Sequence, residues 1–331
     1  MYNKTSSLGK IHEKTLKLLE CDQKKKDYLD YREEFDNASN FKKIYNYPIH
    51  IDIEIDNFCN FACTFCPIGQ KDNELNGYYK TLKKLDENKI YEILDETKKI
   101  GVKSVQFSLV NEPLANKNIF KYVKYASKLK FSDIFFVSNG YLLNEKNIHN
   151  ILKSGLTKIQ FSLDAFSENT YKERRLKNTK PANYKKTLNN ILNFLKIKKK
   201  LGKNFPLVRV SFIELDDNKK EFNDFKKFWE EKVDGINYQK LVDYSQKTQF
   251  AEENFLNSCN MPMFRLAIKS DGNVKPCCVG FGEKIHLGNV YNQTLSEIWN
   301  SNFMKNFQKM HLEKRANENE VCKNCLKYTN V

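Results

Sequence analysis

The chain has 331 residues, 40% of them hydrophobic and 13% aromatic, which suits one large domain with a small one beside it and excludes a disordered polypeptide. No apolar run approaches a membrane span, and the opening MYNKTSSLGK has no apolar signal-peptide core behind its charge, so a cytoplasmic protein is expected. The net charge of +15 permits nucleic acid, a membrane surface or an anionic small molecule as partner; it is uneven, with eight lysines and no acid in residues 180–203, a run read first as a solvated helix face.

Residues 1–47 read as one or two polar helices around IHEKTLKLLE, without a hydrophobic stripe wide enough for an independent domain. Cys21 stands alone there as an ordinary residue. From Pro48, IHIDIEID alternates apolar and mostly acidic residues, which predicts a strand. CNFACTFC follows, so Cys59, Cys63 and Cys66 fall on a loop at the carboxyl end of that strand, where parallel α/β folds place their chemistry. Three thiolates in a short loop can hold three corners of a cubane cluster and leave the fourth iron open. A zinc site wants a fourth protein ligand, and none is near in sequence.

A helix is predicted at Asn88–Lys99, stopped by Gly101, then a strand at Ser104–Leu109 and a helix at Lys117–Leu129. A strand at Asp133–Val137, a helix at Glu145–Lys153, a strand at Lys158–Leu163 and a long helix at Tyr184–Leu201 come next. A strand at Leu207–Ile213, a helix at Lys219–Lys232 and a short strand at Gly235–Gln239 complete the alternation. Such a series implies a parallel sheet with right-handed crossovers. Six strands are too few for a closed eight-stranded barrel. The expected fold is therefore α/β, a partial (β/α)6 TIM-like barrel over residues 48–245, preceded by the N-terminal helical extension 1–47.

Residues 246–331 read as a small C-terminal α+β cluster-binding domain. LAIKS and NVKPC around Asp271-Gly272 predict a hairpin, and Thr294 with Glu297 forms a capping-box pattern before IWNSNFMKNFQKM. Cys259, Cys277, Cys322 and Cys325 supply four thiolates that close either a full cluster or a zinc site. Cys278 adjoins Cys277, and spacing does not separate the two. In a leaderless chain of this size, grouped cysteines point to metal before disulfides.

The CxxxCxxC loop after a first strand resembles the radical S-adenosylmethionine (SAM) superfamily. Other landmarks fall in order. Phe65 takes the position of the family's adenine-packing aromatic residue. NEPL at Asn111–Leu114 resembles the motif that meets the methionine amino group, with Glu112 as its acid. SNG at Ser138–Gly140 and SLD at Ser162–Asp164 match further landmarks, and Arg175 in YKERR falls near the expected carboxylate or ribose of the cofactor. A zwitterion needs an acidic group for its amine and a basic one for its carboxylate. Asn111 departs from the usual glycine, at a position where glycine allows close approach and positive φ. The C-terminal run of CNMP, the DG hairpin, PCC, LGNV and LSEIWN resembles the auxiliary-cluster domains called SPASM and twitch. The cysteines suffice for one auxiliary cluster, which looks like the twitch form, and their spacing is close to that of a family member that oxidises an amino-cyclitol alcohol. By that resemblance its ligands are Cys259, Cys277, Cys322 and Cys325.

The resemblance implies a SAM-binding 4Fe-4S cluster, S-adenosyl-L-methionine and a second, auxiliary 4Fe-4S cluster. It also implies reductive cleavage of SAM to a 5′-deoxyadenosyl radical that takes hydrogen from a substrate. The first expectation is oxidation of a carbohydrate-like, phosphate- or nucleotide-linked small molecule, with the auxiliary cluster as electron acceptor. Epimerisation with Cys278 as hydrogen donor is the alternative, and maturation of a ribosomal peptide another. A non-enzymatic iron–sulfur protein would have no need of the NEPL, SLD and Arg175 positions. A low-potential donor such as flavodoxin or ferredoxin is the expected partner. Neither a membrane nor nucleic acid is expected, since no binding motif accompanies the charge. Glu214, after the fifth strand, is the one acid considered for a base, and no catalytic base is assigned.

Overall fold

The computed structural model describes residues 7–19, 21–70, 76–177, 183–215, 217–240, 257–278 and 284–329. The expected domain boundary near residue 245 lies outside the described residues. Six strands alternate with helices as the hydrophobic periods predict: β1 His50–Ile53, β2 Ser104–Gln106, β3 Asp133–Ser138, β4 Lys158–Ser162, β5 Leu207–Glu214 and β6 Gly235–Lys240. They pair in parallel, each with its neighbour in sequence, to form the partial barrel. Among the described residues no helix is long and apolar enough to cross a membrane.

β2 is shorter than expected. At its end Val137 N donates to the Ser108 hydroxyl at 3.0 Å and Gln106 Nε2 donates to the Ser108 carbonyl, so side chains replace the backbone ladder. β1 is buried on both faces. Ile51, Ile53 and Ile55 join the core that the crossover helices cover, with Ile90 and Leu94 among their neighbours. The alternate residues His50, Asp52 and Glu54 must then face the other side of the sheet.

The C-terminal hairpin is present, as β7 Arg265–Ile268 and β8 Asn273–Lys275, antiparallel. Gly272 turns it with φ +84°, where a Cβ would strike the Tyr291 ring. β7 also pairs in parallel with β1, with His50 opposite Arg265 and Ile53 opposite Ile268. The C-terminal residues thus extend the barrel's own sheet. The order is β6-β5-β4-β3-β2-β1-β7-β8-β9, where β9 is Gly288–Asn289.

The N-terminal helices Ser7–Leu18 and Asp22–Ser39 close the floor of the barrel, at the amino ends of the strands. Lys103 Nζ meets Glu34 at 2.6 Å, Ser132 Oγ donates to the Asp27 carbonyl, and Tyr31 OH reaches Asp133 Oδ2 at 3.4 Å. Tyr28, Tyr31 and Ala38 pack with Tyr45, Ile49, Met263 and Phe264 in a second small core. Residues 28, 31, 35 and 38 form a helical stripe, aromatic at all but Ala38, and the polar residues between them conceal it.

The Thr294–Glu297 capping box forms and starts the helix Leu295–Trp299. Trp299 is buried, and its indole Nε1 donates to the Tyr45 carbonyl at 2.9 Å, tying the C-terminal helices to the N-terminal segment. Replacing Trp299 by Ala should therefore lower unfolding free energy by about 3–5 kcal/mol, measured by denaturant titration. A loss under about 1 kcal/mol would show that the indole is not a packing anchor.

Candidate active site

The cysteine loop follows β1 and faces a cavity of about 260 Å³. Cys59, Cys63 and Cys66 all line it, as do Phe65, Glu112, Ser138, Ser162 and Arg175. The carboxyl ends of four strands therefore converge on one site. The loop is folded on itself: Cys66 N donates to the Cys63 carbonyl at 3.0 Å and Gly69 N to the Cys66 carbonyl at 2.9 Å. A Cβ on Gly69 would overlap the carbonyl oxygens of Cys63 and Ala62, so only glycine fits this path. Sequence reasoning passed over Gly69. Its place three residues after the last cysteine was the available signal.

Burial raises the Cys59 and Cys63 thiols, with Glu112 adding to the effect at Cys59 and Asp164 at Cys63 despite the opposing Arg175. Burial pushes Cys66 up to about 12, and Cys63 adds to it. On their own these sulfurs stay protonated. A cationic partner is what would ionise them. No histidine or fourth cysteine lines the cavity among the described residues. Nor do three His, Cys, Asp or Glu side chains converge there tightly enough for a single ion. Three cysteine sulfurs around a cavity, with no fourth among the described residues, is the donor set that fits a cluster keeping one iron open.

Glu112 is buried and accepts three hydrogen bonds: from Leu114 N at 3.0 Å and Ser138 Oγ at 2.8 Å on Oε1, and from Asn139 N at 2.7 Å on Oε2. Burial raises its carboxyl, and these donors work against that rise. A carboxylate has about four acceptor positions, so Oε2 keeps one for a cation. Asn111 does not take a positive φ, so the position needs no glycine for its backbone. Its Oδ1 accepts from Leu109 N at 3.0 Å, while Nδ2 is buried without a partner among the described residues. Asn139, in the SNG motif, also lines the cavity and donates to Asn60 Oδ1 at 2.8 Å. The Ser162 hydroxyl faces the cavity without a hydrogen-bond partner among the described residues.

Arg175 sits in a π-helical turn, Lys172–Leu176, that sends Arg174 outward to Asp217 and Arg175 inward. Thr64 N donates to the Arg174 carbonyl at 2.9 Å, which ties this turn to the cysteine loop. Nε and Nη2 of Arg175 both reach Asp164 Oδ2, and Nη1 points at Cys63 Sγ, 3.7 Å away. Its guanidinium lies 5.6 Å from the Phe65 ring centroid. Burial opposes the charge, but Asp164 and Cys63 outweigh it and hold Arg175 firmly protonated. Asp164 itself does not line the cavity. It is fully buried at φ +58°, with Oδ1 accepting from Ile213 N at 3.0 Å, and it stands behind Arg175. Ile213 lines the cavity, whereas Glu214, the next residue on β5, does not.

A second cysteine group lies at the foot of β7 and β8. Cys259 feels Cys278, and Cys325 feels both of these; burial, the larger cause, raises all three thiols. Cys322 is pushed up to about 12 by burial and then by Cys259 and Cys325. The helix Glu320–Thr329 sets Cys322 and Cys325 one turn apart. Cys277 and Cys278 both act on Arg265. His311, which sequence reasoning missed, braces this group: Cys259 N donates to Nδ1 at 3.0 Å, and Nε2 lies 3.6 Å from Cys322 Sγ. Burial pushes its pKa down to about 4, so it is neutral and can accept.

Comparison with known proteins gives two family matches. The model of the radical SAM superfamily matches residues 53–227, and that of the iron-sulfur cluster-binding domain SPASM matches residues 259–326. GTP 3′,8-cyclase of Clostridium acetobutylicum is 25% identical over 221 residues, which are 65% of this chain and 63% of that protein. The chain thus spans less than two thirds of the cyclase's length. The S-adenosyl-L-methionine-dependent 2-deoxy-scyllo-inosamine dehydrogenase of Niallia circulans is 22% identical over 287 residues, 83% of this chain and 91% of that protein. The crystal structure of BtrN in complex with AdoMet and 2-DOIA superposes with a TM-score of 0.55 at 18% identity, covering 84% of this chain and 92% of that one, which shows the shared fold.

Gly69→Ala should cost the protein the iron of its first site. Reconstituted wild type should bind about eight irons if two four-iron clusters form, and the variant about half, by colorimetric assay with unchanged far-UV circular dichroism. A full iron content would show that the loop path does not depend on Gly69.

Proposed function

The chain belongs to the radical SAM superfamily and is an enzyme that uses a SAM-binding 4Fe-4S cluster, S-adenosylmethionine and auxiliary iron–sulfur chemistry, and on that premise we propose that it oxidises a carbohydrate-like small molecule. When bound, the first cluster and SAM supply a carbon radical able to take a hydrogen atom. Cys59, Cys63 and Cys66 hold that cluster. Glu112 takes the cofactor's ammonium on its open Oε2 position, and Phe65 offers an apolar face to the adenine. Arg175, fixed by Asp164, keeps a charge beside the site. Ser138 orients Glu112, and Ser162 offers a free hydroxyl.

A carbinol substrate that has lost a hydrogen atom still has one electron and one proton to lose before it becomes a ketone. The observation that carries the oxidative reading is the second cysteine group at the foot of β7 and β8, strands that continue the barrel's own sheet. The electron has an outlet there, and the proton leaves to water or a base. Epimerisation needs a thiol that returns a hydrogen atom at the cavity. The Cys278 thiol instead accepts from Arg265 and is not among the residues lining the cavity. Five cysteines follow residue 258, which suits one auxiliary cluster of the twitch type on four of them. The helices of the N-terminal extension close the barrel floor, which speaks against their acting as a separate peptide-leader module. A low-potential electron carrier such as flavodoxin or ferredoxin would supply the first cluster.

Two tests follow from this reading. Cys322→Ala with Cys325→Ala should leave 5′-deoxyadenosine formation running while oxidised product disappears. Solvent deuterium in a substrate isomer, without oxidised product, would overturn the oxidative assignment. Arg175→Ala should weaken SAM binding by on the order of 1.5–3 kcal/mol, read by equilibrium dialysis. An unchanged affinity would show that Arg175 serves the cysteine loop alone.

A further inference from the structure

Arg265 opens β7, and among the described residues its hydrogen bonds go only to sulfur. Nη1 donates to Cys278 Sγ at 2.6 Å and to Met261 Sδ at 3.7 Å. Its charge is balanced from the other side. Nε lies 3.2 Å from Asp52 Oδ2, an ion pair without an aligned hydrogen bond. Asp52 is fully buried, and its Oδ1 meets His50 Nε2 at 3.1 Å. A carboxylate only accepts, so Nε2 carries the proton, and His50 Nδ1 takes the Ser104 hydroxyl at 2.8 Å. The row Ser104, His50, Asp52, Arg265, Cys278 runs across β2, β1 and β7 to the second cysteine group. The Arg265 side chain is only 15% exposed, so water screens its charge little.

We propose that Arg265 is a positioning residue that raises the reduction potential of the cluster held by the C-terminal cysteines, with Asp52 as its counterweight. Reduction adds one negative charge to that site. A fixed cation beside that site, donating N–H to the Cys278 sulfur of the same cysteine group, favours the reduced form, and a buried anion beyond the cation moderates the effect. A guanidinium suits this place because it does not lose its proton. The functional use rests on the reading that the second cluster accepts the substrate's electron. The potential itself does not depend on that reading.

Electrostatic tuning predicts shifts of opposite sign from the two partners. In reconstituted holoenzyme, Arg265→Gln should move the second cluster's midpoint potential to a more negative value. Arg265→Lys should restore part of it, and Asp52→Asn should move it to a more positive value. The first cluster's potential should stay put in all three. The readout is a stepwise reductive titration followed by electron paramagnetic resonance, with iron content determined on each sample. Unshifted potentials in iron-replete variants, or shifts of the same sign from both partners, would overturn the proposal. Should Arg265→Gln fail to hold its second cluster, Asp52→Asn decides: a positive shift supports tuning, and none overturns it. Loss of that cluster in both variants would make the pair structural and overturn the proposal as well. Product analysis on the same samples separates the two readings. Opposite shifts without any oxidised product in wild type would leave Arg265's role standing and remove the acceptor role of the cluster.

Discussion

Two buried ion pairs join β1 to β7, and both cysteine sites depend on that junction. Asp52 faces Arg265 and Glu54 faces Lys269, with both carboxylates fully buried. Lys269 Nζ donates to Glu54 Oε1 at 3.0 Å and to Tyr79 OH at 2.8 Å, while Glu54 Oε2 accepts from Ser270 and Tyr78. Charges so deep are costly to desolvate, and they persist only when their partners are in place. Removing one partner of such a pair typically costs about 3–5 kcal/mol, because it strands the other. The C-terminal segment therefore cannot leave β1 without exposing two carboxylates to an unpaired burial. One strand reaches both sites through this ladder: Arg265 at its foot touches Cys278, and Lys269 past its head acts on Cys66.

The alternation in IHIDIEID was enough to read β1 as a strand, but not to read why its polar face is acidic. The complement was also present, since RLAIK sets cations at residues 265 and 269 with the same period of two. What sequence did not convey was that segments some two hundred residues apart lie side by side in register. Pairing of that range is decided by the whole core, not by local propensity. The N-terminal helices were read as helices, but their packing face escaped for another reason. Their buried stripe is made of Tyr28, Tyr31 and Phe35, residues whose polar tips or charged neighbours lower the apparent amphipathicity.

The strands were legible from their periods, and the candidate site was legible from its motifs because its chemistry sits at strand ends. Phe65, Glu112, Ser138, Ser162 and Arg175 meet the three cysteines at one cavity. Asp164 shows the limit of motif reading. It belongs to SLD, yet its carboxylate is spent on Arg175 and on the Ile213 and Ser211 donors behind the wall. A motif marks a position as used without saying whether the side chain faces the ligand or supports the residue that does. The same holds for the vicinal pair Cys277 and Cys278. Adjacent residues share a spacing, and only the side chains' surroundings tell them apart.

The two cysteine groups are held in readiness by the same physics that makes them unreactive when empty. Burial raises every thiol in the first group and keeps it neutral, so the folded chain does not carry three unpaired negative charges in a small cavity. Ionisation then has to accompany cluster binding, which releases protons and returns the binding energy to the fold. Arg175 and Arg265 occupy equivalent places in this scheme. Each is a largely buried guanidinium that points one edge at a cysteine sulfur and gives the other to a fully buried aspartate, Asp164 in one case and Asp52 in the other. The cations pre-pay part of the electrostatic cost of the thiolates, and the aspartates keep the cations from being stranded while the sulfurs are still protonated. A neutral arrangement in the empty state thus becomes an attractive one once the sulfurs ionise, without either arginine having to move.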